Sequence, residues 1–368
     1  MRSYVEVIDK KSEALHHQER GQLFDCNRFQ HTIKILVLRL MNTLLKFLSF
    51  LLSIAVDSNS VFSEAFRPSR KVLIPSFRCG GLEDVNSSAN SSNEGNGDDS
   101  QSSPDVSRTM YNKQATNWVR TEPRCLSDFT GRPVVFDMLS EELQSRASKI
   151  VLDVGCGEGY CARKAVELGA SKVIASDISQ GMIDSAIETS EGDSRLRYYV
   201  ALCGDLLKGL DENRDYLGIE RAEEAADVAI AVFLFNYLTT FDMEEAIEQV
   251  YKALKPGGVF IFSVPHPSMI FCHDKGAIFH LDSEGKGYYS SRNEKILGQI
   301  STIDGTKLNI MSVHKTLGDY MHAINKAGFH VADIKEAGVT DEHMNTNPDF
   351  FNSVKDRPLH LVFKLKKP

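Results

Sequence analysis

Residues 151–160 read VLDVGCGEGY, and this stretch decides the fold. A short apolar run that contains one acid passes directly into glycines spaced G-x-G-x-G. Glycine permits the sharp turn and the close approach of backbone to a ligand that such a loop requires. The stretch therefore predicts a buried strand, a ligand-binding loop and the first turn of a helix, in that order.

The same alternation of short apolar runs and amphipathic segments extends across the second half of the chain. The run Ala226–Phe233 is almost wholly apolar, as expected for a strand covered on both faces of a parallel sheet. Strands are predicted at Lys149–Val154, Lys172–Ser176, Arg195–Leu202, Ala226–Phe233, Val259–Val264, about His330–Glu336 and His360–Leu365, and helices at Tyr160–Leu168, Gly181–Thr189, Met243–Leu254 and Lys315–Lys326. Lys255–Gly258 (KPGG) is predicted to break the helix before the fifth strand. The order predicts an α/β fold: a doubly wound, mostly parallel seven-stranded sheet with helices on both faces and a small cap insertion at about 266–314.

The spacing and flanks of the loop separate it from a dinucleotide site. The dinucleotide fingerprint is G-x-G-x-x-G, and its third glycine would fall at Tyr160. Asp177 ends the second strand about 20 residues later, where a carboxylate accepts ribose hydroxyls through bonds worth roughly 1.5–3 kcal/mol each. Asp153 can orient the loop and pair with a cationic amino group. The pattern favours S-adenosylmethionine (SAM), which has a cationic amino group at its methionine end and no pyrophosphate.

Four segments in order carry a family resemblance. They are VLDVGCGEGY, then ASDIS and GMI, then GDL, then LKPGG. This set resembles the class I SAM-dependent methyltransferases and covers about residues 110–368. The resemblance implies SAM as cofactor. It also implies that Gly155 and Gly157 contact the methionine part, Asp177 the ribose, Ile178 and Met182 the adenine ring, Asp205 with Leu206 beside it the adenine amino group, and Phe233 the methyl-donating end. Core packing is the alternative for Ile178, Met182 and Leu206, and a helix N-cap for Asp205.

Residues after the strand ends are expected to form the acceptor site, because ligands bind beyond the carboxyl ends of parallel strands. Tyr111 begins a segment that resembles the Y-x-x-x-A lid helix of small-molecule methyltransferases, which would place it near the sulfonium. The N/D-P-P-Y/F tetrapeptide of methylases that act on exocyclic nitrogens is absent. The acceptor-side candidates are His266, His314 and Tyr237 for catalysis, and Phe235, Tyr288, Tyr289, Arg292 and Lys315 for substrate binding. A helix cap or a core position is the alternative for His314.

The acceptor atom decides which of these side chains are needed. A hydroxyl or carboxylic acid requires a base, for which His266 or His314 is the candidate. A thioether loses no proton, and aromatic rings would stabilise its sulfonium product by cation–π contact. One such acceptor is 4-methylthio-2-hydroxybutyrate, which algal enzymes methylate on the way to dimethylsulfoniopropionate; Arg292 and Lys315 would hold its carboxylate. The alternative is O- or C-methylation of a quinone or another small hydroxylated metabolite.

Composition excludes several other classes. The formal net charge is −8, and no basic stripe marks a nucleic-acid surface in the second half of the chain. The 7 cysteines form no CxxC pair, which favours buried thiols and predicts no metal site. The missing third glycine argues against a nicotinamide dehydrogenase. The intact glycine loop argues against a non-catalytic protein with the SAM-binding fold. A small-molecule substrate is therefore the expected partner, and the oligomeric state is left open.

The N-terminal third is predicted to lie outside the fold. Residues 41–65 resemble a signal peptide, whose apolar core Phe47–Val56 is about half the length that spans a bilayer. Residues 66–108 are interpreted as a basic, acid-poor transit peptide followed by a disordered linker, residues 1–40 as a gene-model extension, and residues 109–368 as the methyltransferase domain. The arrangement resembles the presequence of algae with complex plastids. We therefore expect a plastid protein with no stable membrane span when mature; secretion or a cytoplasmic location is the alternative.

Overall fold

The computed structural model describes residues 122–145, 148–190 and 192–368. The strands are β1 Ile150–Val154, β2 Lys172–Asp177, β3 Leu196–Val200, β4 Ala226–Val232, β5 Leu254–Pro265, β6 Phe279–Leu281, β7 Lys295–Ser301, β8 Lys307–Val313, β9 His330–Ala337 and β10 His360–Lys366. The α-helices are α1 Leu126–Phe129, α2 Gly131–Gln144, α3 Tyr160–Glu167, α4 Gln180–Thr189, α5 Leu206–Glu212, α6 Arg214–Leu217, α7 Thr240–Ala253, α8 Leu317–Ala327, α9 Asp341–Thr346 and α10 Pro348–Phe351.

The main sheet has seven strands in the order β3-β2-β1-β4-β5-β10-β9. Strands β1 to β5 pair in parallel, and β10 runs antiparallel to both of its neighbours. Consecutive residues of β1 point to opposite faces, and both Val151 and Leu152 are fully buried. Helices α2, α3 and α4 pack on the face of Val151, and α5, α7 and α8 on that of Leu152. The predicted doubly wound sheet is confirmed.

The fifth strand begins earlier than predicted. Helix α7 ends at Ala253, and Leu254 has extended backbone, so the predicted break is present. The segment 255–258 nevertheless belongs to β5 as an irregularity, because Leu254 pairs with Ala226 whereas Val259 pairs with Val228. Gly258 is required there: an added Cβ would lie 2.8 Å from the carbonyl oxygen of Lys255. The KPGG segment therefore acts as a bulge that leads into the strand.

The cap is more regular than the sequence indicated. Strands β6, β7 and β8 form a separate antiparallel sheet of three strands. Alternate residues of β7 are buried, and Ile296 and Ile300 contribute to a third apolar cluster together with Phe351 of α10. Gly298 allows β6 to approach, since a Cβ there would lie 2.2 Å from the carbonyl oxygen of His280. The cap thus has its own small core.

Six helices were not placed by sequence analysis. Helices α1 and α2 precede the first strand, α5 and α6 lie between β3 and β4, and α9 and α10 lie between the last two strands. Tyr111 and the whole predicted presequence lie outside the described residues. Within the part of the chain that the structure describes, no helix has the length and apolar character needed to cross a bilayer.

Candidate active site

A cavity of about 380 Å³ opens at the carboxyl ends of β1, β2 and β4. The predicted donor-site residues that line it are Asp153, Gly155, Gly157, Asp177, Ile178, Met182, Asp205 and Phe233. Leu206 does not line it; its side chain is buried in the cluster beneath α5 and α7, so core packing is the role that the structure shows. Asp205 stands at the start of α5, but its side chain makes no capping hydrogen bond. We call this space the donor cavity.

The glycine loop takes the shape that its sequence requires. Gly155 and Gly157 both have positive φ, 72° and 56°, a region that other L-residues rarely adopt. A Cβ on Gly155 would lie 2.7 Å from a side-chain carbon of Leu234. The loop is therefore held close to the end of β4, and its backbone forms one wall of the donor cavity.

Asp177 joins the end of β2 to the loop. Its Oδ2 accepts from the backbone N–H of Gly157 at 2.9 Å, and its Oδ1 accepts from that of Ser179 at 2.9 Å. Burial raises the pKa of Asp177, whereas these N–H donors act in the opposite direction. A carboxylate has about four acceptor positions, so this group can hold its loop and still accept the two hydroxyls of a ribose.

Asp153 is a buried carboxyl group at the donor cavity. It is 1 % exposed, and neither carboxyl oxygen has a hydrogen-bond partner among the described residues. Burial raises the pKa of Asp153 to about 8, and the nearby Asp177 adds to the effect. An unpaired buried carboxyl is costly, and a cationic ligand group would satisfy it. The ammonium of the methionine part of SAM fits this position.

Arg132 lines the same cavity and was missed by sequence analysis. Its Nη1 donates to Asp128 at 2.6 Å and to Ser127 at 2.7 Å, while its buried Nε has no partner in the part of the chain that the structure describes. The guanidinium carbon lies 5.2 Å from the centre of the Phe233 ring. A buried carboxyl and a buried guanidinium on one cavity wall match the two charged ends of an amino acid, and SAM has one.

The donor cavity is acidic as a whole. The carboxylate residues on its lining are Asp153, Glu158, Asp177, Asp205, Asp242 and Glu245, and within the described chain Arg132 is the one basic residue there. Asp242 and Glu245 come from α7, which sequence analysis did not assign to the site. A cleft lined by one sign of charge concentrates ligands of the opposite sign. The lining therefore favours a donor that carries a sulfonium and an ammonium.

Phe233 occupies a strained position at the end of β4. Its φ is 59°, in the left-handed region, which costs a residue with a bulky side chain of order 1–3 kcal/mol. The ring lines the donor cavity and meets the ring of His360 edge-on at 4.9 Å. Gly131 leaves room for both, since a Cβ there would lie 2.7 Å from Phe233 Cζ. Backbone strain of this kind concentrates at functional sites.

His360 is a second residue that sequence analysis missed. Its Nδ1 lies 2.8 Å from the hydroxyl of Thr130, which itself donates to the carbonyl oxygen of Leu126 at 2.9 Å. Because that hydroxyl has a single proton, it accepts from His360, and Nδ1 carries the hydrogen. Burial lowers the pKa of His360 to about 3, helped by the charge of Arg132. His360 is thus a neutral ring of fixed tautomer beside Phe233.

The prediction that Phe235 faces the acceptor is wrong. Its side chain is 0 % exposed and packs edge-on against Phe260 and Phe262 at 6.1 and 5.0 Å, in the core beneath the sheet. Residues Phe235–Tyr237 form a 3-10 turn, which sends successive side chains in different directions. Tyr237 lines the donor cavity, as its predicted catalytic position requires, and Asn236 lines a second, smaller cavity.

The two cations predicted to hold an acceptor carboxylate are already engaged. Lys315 is 2 % exposed, and its Nζ donates to the backbone carbonyls of Phe235, Leu238 and Val313. Arg292 pairs with the buried Asp319, to which its Nε donates at 2.6 Å. Neither side chain borders the donor cavity. These two assignments are therefore corrected.

His266 and His314 lie away from the donor cavity. They line the second cavity, of about 20 Å³, which has room for about one water molecule. His266 bonds to Ser268 and Glu336 at 2.7 and 2.9 Å. His314 Nε2 donates to the carbonyl oxygen of Tyr288 at 2.8 Å, and burial lowers the pKa of His314. Neither histidine stands where it could take a proton from an acceptor in the donor cavity.

The aromatic residues predicted in the cap also lie apart from the donor cavity. Tyr288 Oη accepts from the N–H of Leu317 at 2.9 Å, and its ring meets that of His314 at 5.5 Å. Tyr289 is 81 % exposed. The described residues that place aromatic surface at the donor cavity beside the end of β4 are Phe233 and Tyr237. In the same part of the chain, no group of three or more His, Cys, Asp or Glu is arranged to hold a metal ion.

A doubly wound sheet with a G-x-G-x-G loop after its first strand and an acid at the end of its second is the arrangement expected of a SAM-dependent methyltransferase. In agreement, residues 151–258 match the family model described as a methyltransferase domain. The chain is 27% identical over 251 residues to N-demethylindolmycin N-methyltransferase of Streptomyces griseus, which covers 68% of this chain and 90% of that protein.

Two further similarities were found. The rat protein named arginine-hydroxylase NDUFAF5, mitochondrial, is 24% identical over 259 residues, which is 68% of this chain but only 61% of that protein. A crystal structure of a SAM-dependent methyltransferase from Mesorhizobium loti has a TM-score of 0.44 and 22% identity, covering 64% of this chain and 96% of that one.

Proposed function

We propose that this enzyme transfers the methyl group of SAM to a small-molecule acceptor that binds beside Phe233 and Tyr237. The observation that carries the proposal is the donor cavity itself. Its volume falls in the range of small-molecule sites, two aromatic rings extend it beyond the end of β4, and its lining is acidic. A nucleic acid would meet repulsion at such a lining, whereas a small neutral or cationic acceptor would not.

The residues of the cavity act by alignment. When bound, SAM would supply a methyl group on a sulfonium: an acceptor nucleophile bonds to the methyl carbon in line with the C–S bond, which breaks to release S-adenosylhomocysteine (SAH). Asp153 and Arg132 hold the two ends of the amino acid, and Asp177 holds the ribose. Correct alignment is worth roughly 7–11 kcal/mol at best. Because no described histidine reaches the cavity, we propose that the acceptor is nucleophilic without a strong protein base, or that Tyr237 takes its proton.

The relatives support two different reactions. The Streptomyces griseus relative is named for methylation of a small molecule, and this supports the proposal. The rat relative is named as an arginine hydroxylase, and it would instead suggest oxidation of a side chain. Release of SAH distinguishes methyl transfer from hydroxylation, since methyl transfer releases one SAH for each methylated product. An enzyme that binds SAM but forms no SAH with any acceptor would overturn the proposal.

A thioether acid such as 4-methylthio-2-hydroxybutyrate is the narrower form of the proposal. The rings available to a sulfonium product are those of Phe233 and Tyr237. Arg292 and Lys315 are engaged elsewhere, and Arg132 is assigned to the donor, so the described lining offers no second basic side chain for the acceptor's carboxylate. Phe233 and Tyr237 beside an acidic lining suit a cationic product. A quinone or hydroxylated ring is the alternative acceptor, and it would use the same rings by stacking.

The test is SAH formation by the full chain with a panel of acceptors that includes the thioether acid, a hydroquinone and a primary amine. With SAM at a saturating concentration, we expect for a thioether a rate that is independent of pH, because the nucleophile does not titrate. For a hydroxyl acceptor we expect a rate that rises with pH. Tyr237→Phe separates the roles of this residue: it removes the hydroxyl and keeps the ring, so it should slow a hydroxyl acceptor and spare a thioether.

A plastid location is proposed separately, from residues that the structure does not describe. The proposal rests on the signal peptide-like segment 41–65 and the basic segment that follows it. Residues 41–108 fused to a fluorescent protein should enter the plastid of an alga with complex plastids. Fluorescence confined to the secretory pathway or the cytosol would reject it.

A further inference from the structure

Lys315 is a buried lysine whose ammonium has no carboxylate in hydrogen-bond contact among the described residues. Its Nζ donates to the carbonyl oxygens of Phe235 at 2.8 Å and Val313 at 3.2 Å, and to that of Leu238. An ammonium has three N–H groups, so each has one backbone acceptor. Burial lowers the pKa of Lys315 to about 7, and the nearby charges of Asp319 and Asp242 act in the opposite direction.

The three carbonyls belong to two parts of the fold. Phe235 and Leu238 bracket the 3-10 turn after β4, whereas Val313 ends β8 of the cap sheet. Both Tyr237 and Leu238 line the donor cavity. The ammonium therefore joins the cap to the segment that forms one wall of the donor cavity.

The energetics indicate why a lysine stands here. Removing an ammonium from water costs several kcal/mol, and an apolar side chain of the same length would fill the space without that cost. An apolar residue, however, has no N–H donors with which to hold the three carbonyl oxygens in one arrangement. The turn also follows directly on Phe233, whose left-handed backbone needs support from its surroundings.

We propose that Lys315 is a positioning residue for methyl transfer, whose ammonium fixes residues 235–238 to the cap and thereby maintains the wall of the donor cavity. Its action passes through backbone carbonyls, and it touches neither donor nor acceptor. This role does not depend on which molecule is methylated, so it is tested with SAH alone.

The main variant is Lys315→Met in the full chain, which retains an unbranched side chain one atom shorter than lysine and removes the charge. The matched control is Lys326→Met, since Lys326 is an exposed lysine in the following helix that pairs with Glu244 at 2.6 Å. For Lys315→Met we expect a Kd for SAH about tenfold higher by calorimetry, the effect of about 1.4 kcal/mol of lost preorganisation. Amide hydrogen exchange in residues 234–239 should be faster. Lys326→Met should change neither.

A purely structural role predicts a different result. Lys315→Met would then lower the unfolding temperature and speed amide exchange throughout the sheet, β10 included. The Kd for SAH and the protection of residues 234–239 relative to the sheet would remain as in the wild type. This result would overturn the proposal. Lys315→Gln has two N–H donors but removes the charge. Its Kd for SAH should lie between those of the wild type and Lys315→Met. If the methionine variant does not fold, Lys315→Gln replaces it in the comparison with the wild type. A Kd for Lys315→Gln equal to that of the wild type would also reject the proposal.

Discussion

Asp153 makes donor binding depend on a proton. Its carboxyl is buried at the donor cavity, and burial raises its pKa to about 8. Below that pH the group is protonated in the free protein, but it must be ionised to pair with the ammonium of SAM. Binding therefore releases one proton, and affinity should increase as pH rises toward 8.

The magnitude follows from this linkage. One proton released per binding event gives a tenfold change in Kd per pH unit, so the Kd for SAM should fall about 30-fold between pH 6 and pH 7.5. Measurements stop at pH 7.5 because α-amino groups begin to lose their own proton at about 7.7–8.0. Asp153→Asn removes the titrating group. It should bind SAM with a Kd independent of pH, and at pH 7.5 it should lose about 1.5–3 kcal/mol, which is about 10- to 150-fold.

Calorimetry in buffers of different ionisation enthalpy measures both the Kd and the proton released. 5′-Methylthioadenosine is the matched ligand, since it keeps the nucleoside and lacks the amino acid; its Kd should not change over this range. Asp205→Asn is the matched variant and should retain the slope of the wild type. A wild-type Kd for SAM that is constant from pH 6 to 7.5, or a slope shared by methylthioadenosine, would refute the pairing of Asp153 with the ammonium.

Three further substitutions test the geometry. Asp177→Asn should raise the Kd for SAM by about 10- to 100-fold, through weaker bonds to the ribose; it should also lower the unfolding temperature, because one of the two backbone N–H groups that Asp177 accepts from loses its acceptor. Gly131→Ala places a carbon 2.7 Å from Phe233 and 3.0 Å from His360; this overpacking should cost about 1–3 kcal/mol in denaturant unfolding. Phe235→Ala should lower the free energy of unfolding by about 3–5 kcal/mol, as for a core phenylalanine. An unchanged stability in Phe235→Ala would restore this residue as an acceptor contact.

The donor side was predictable because it is local in sequence. Asp153, the glycines and Asp177 lie within one strand–helix–strand unit, in which period and spacing determine where each residue stands. The bulge that begins β5 was not predictable in the same way, since KPGG reads as a helix stop and its pairing with β4 depends on tertiary contacts. The cap sheet was missed for a related reason: β6 has only three residues, and β7 has two adjacent apolar residues, Ile296 and Leu297, that obscure its alternation in the sequence.

The acceptor side was mostly mispredicted, and the reason is directional. Position after a strand end tells which edge of the sheet a residue occupies, but a 3-10 turn decides where its side chain points. Phe235 and Tyr237 illustrate this, since the first is in the core and the second lines the donor cavity. The prediction that Lys315 binds an acceptor carboxylate is wrong for another reason. A lysine is expected to pair with a carboxylate or to be solvated, whereas the Lys315 ammonium donates to three backbone carbonyls.

Two of the residues that sequence analysis missed, Arg132 and His360, share a contact with Phe233, and this contact bears on where acceptor specificity is encoded. Arg132 precedes the glycine loop, and His360 begins the last strand, 230 positions from the Thr130 hydroxyl that fixes its tautomer. Both contact Phe233, one through its guanidinium and the other through its ring. Phe233 is in turn held in a strained backbone at the cavity. Exchanges at Arg132, Phe233 and His360 should therefore alter acceptor choice, whereas exchanges of the exposed Tyr289 should leave it unchanged.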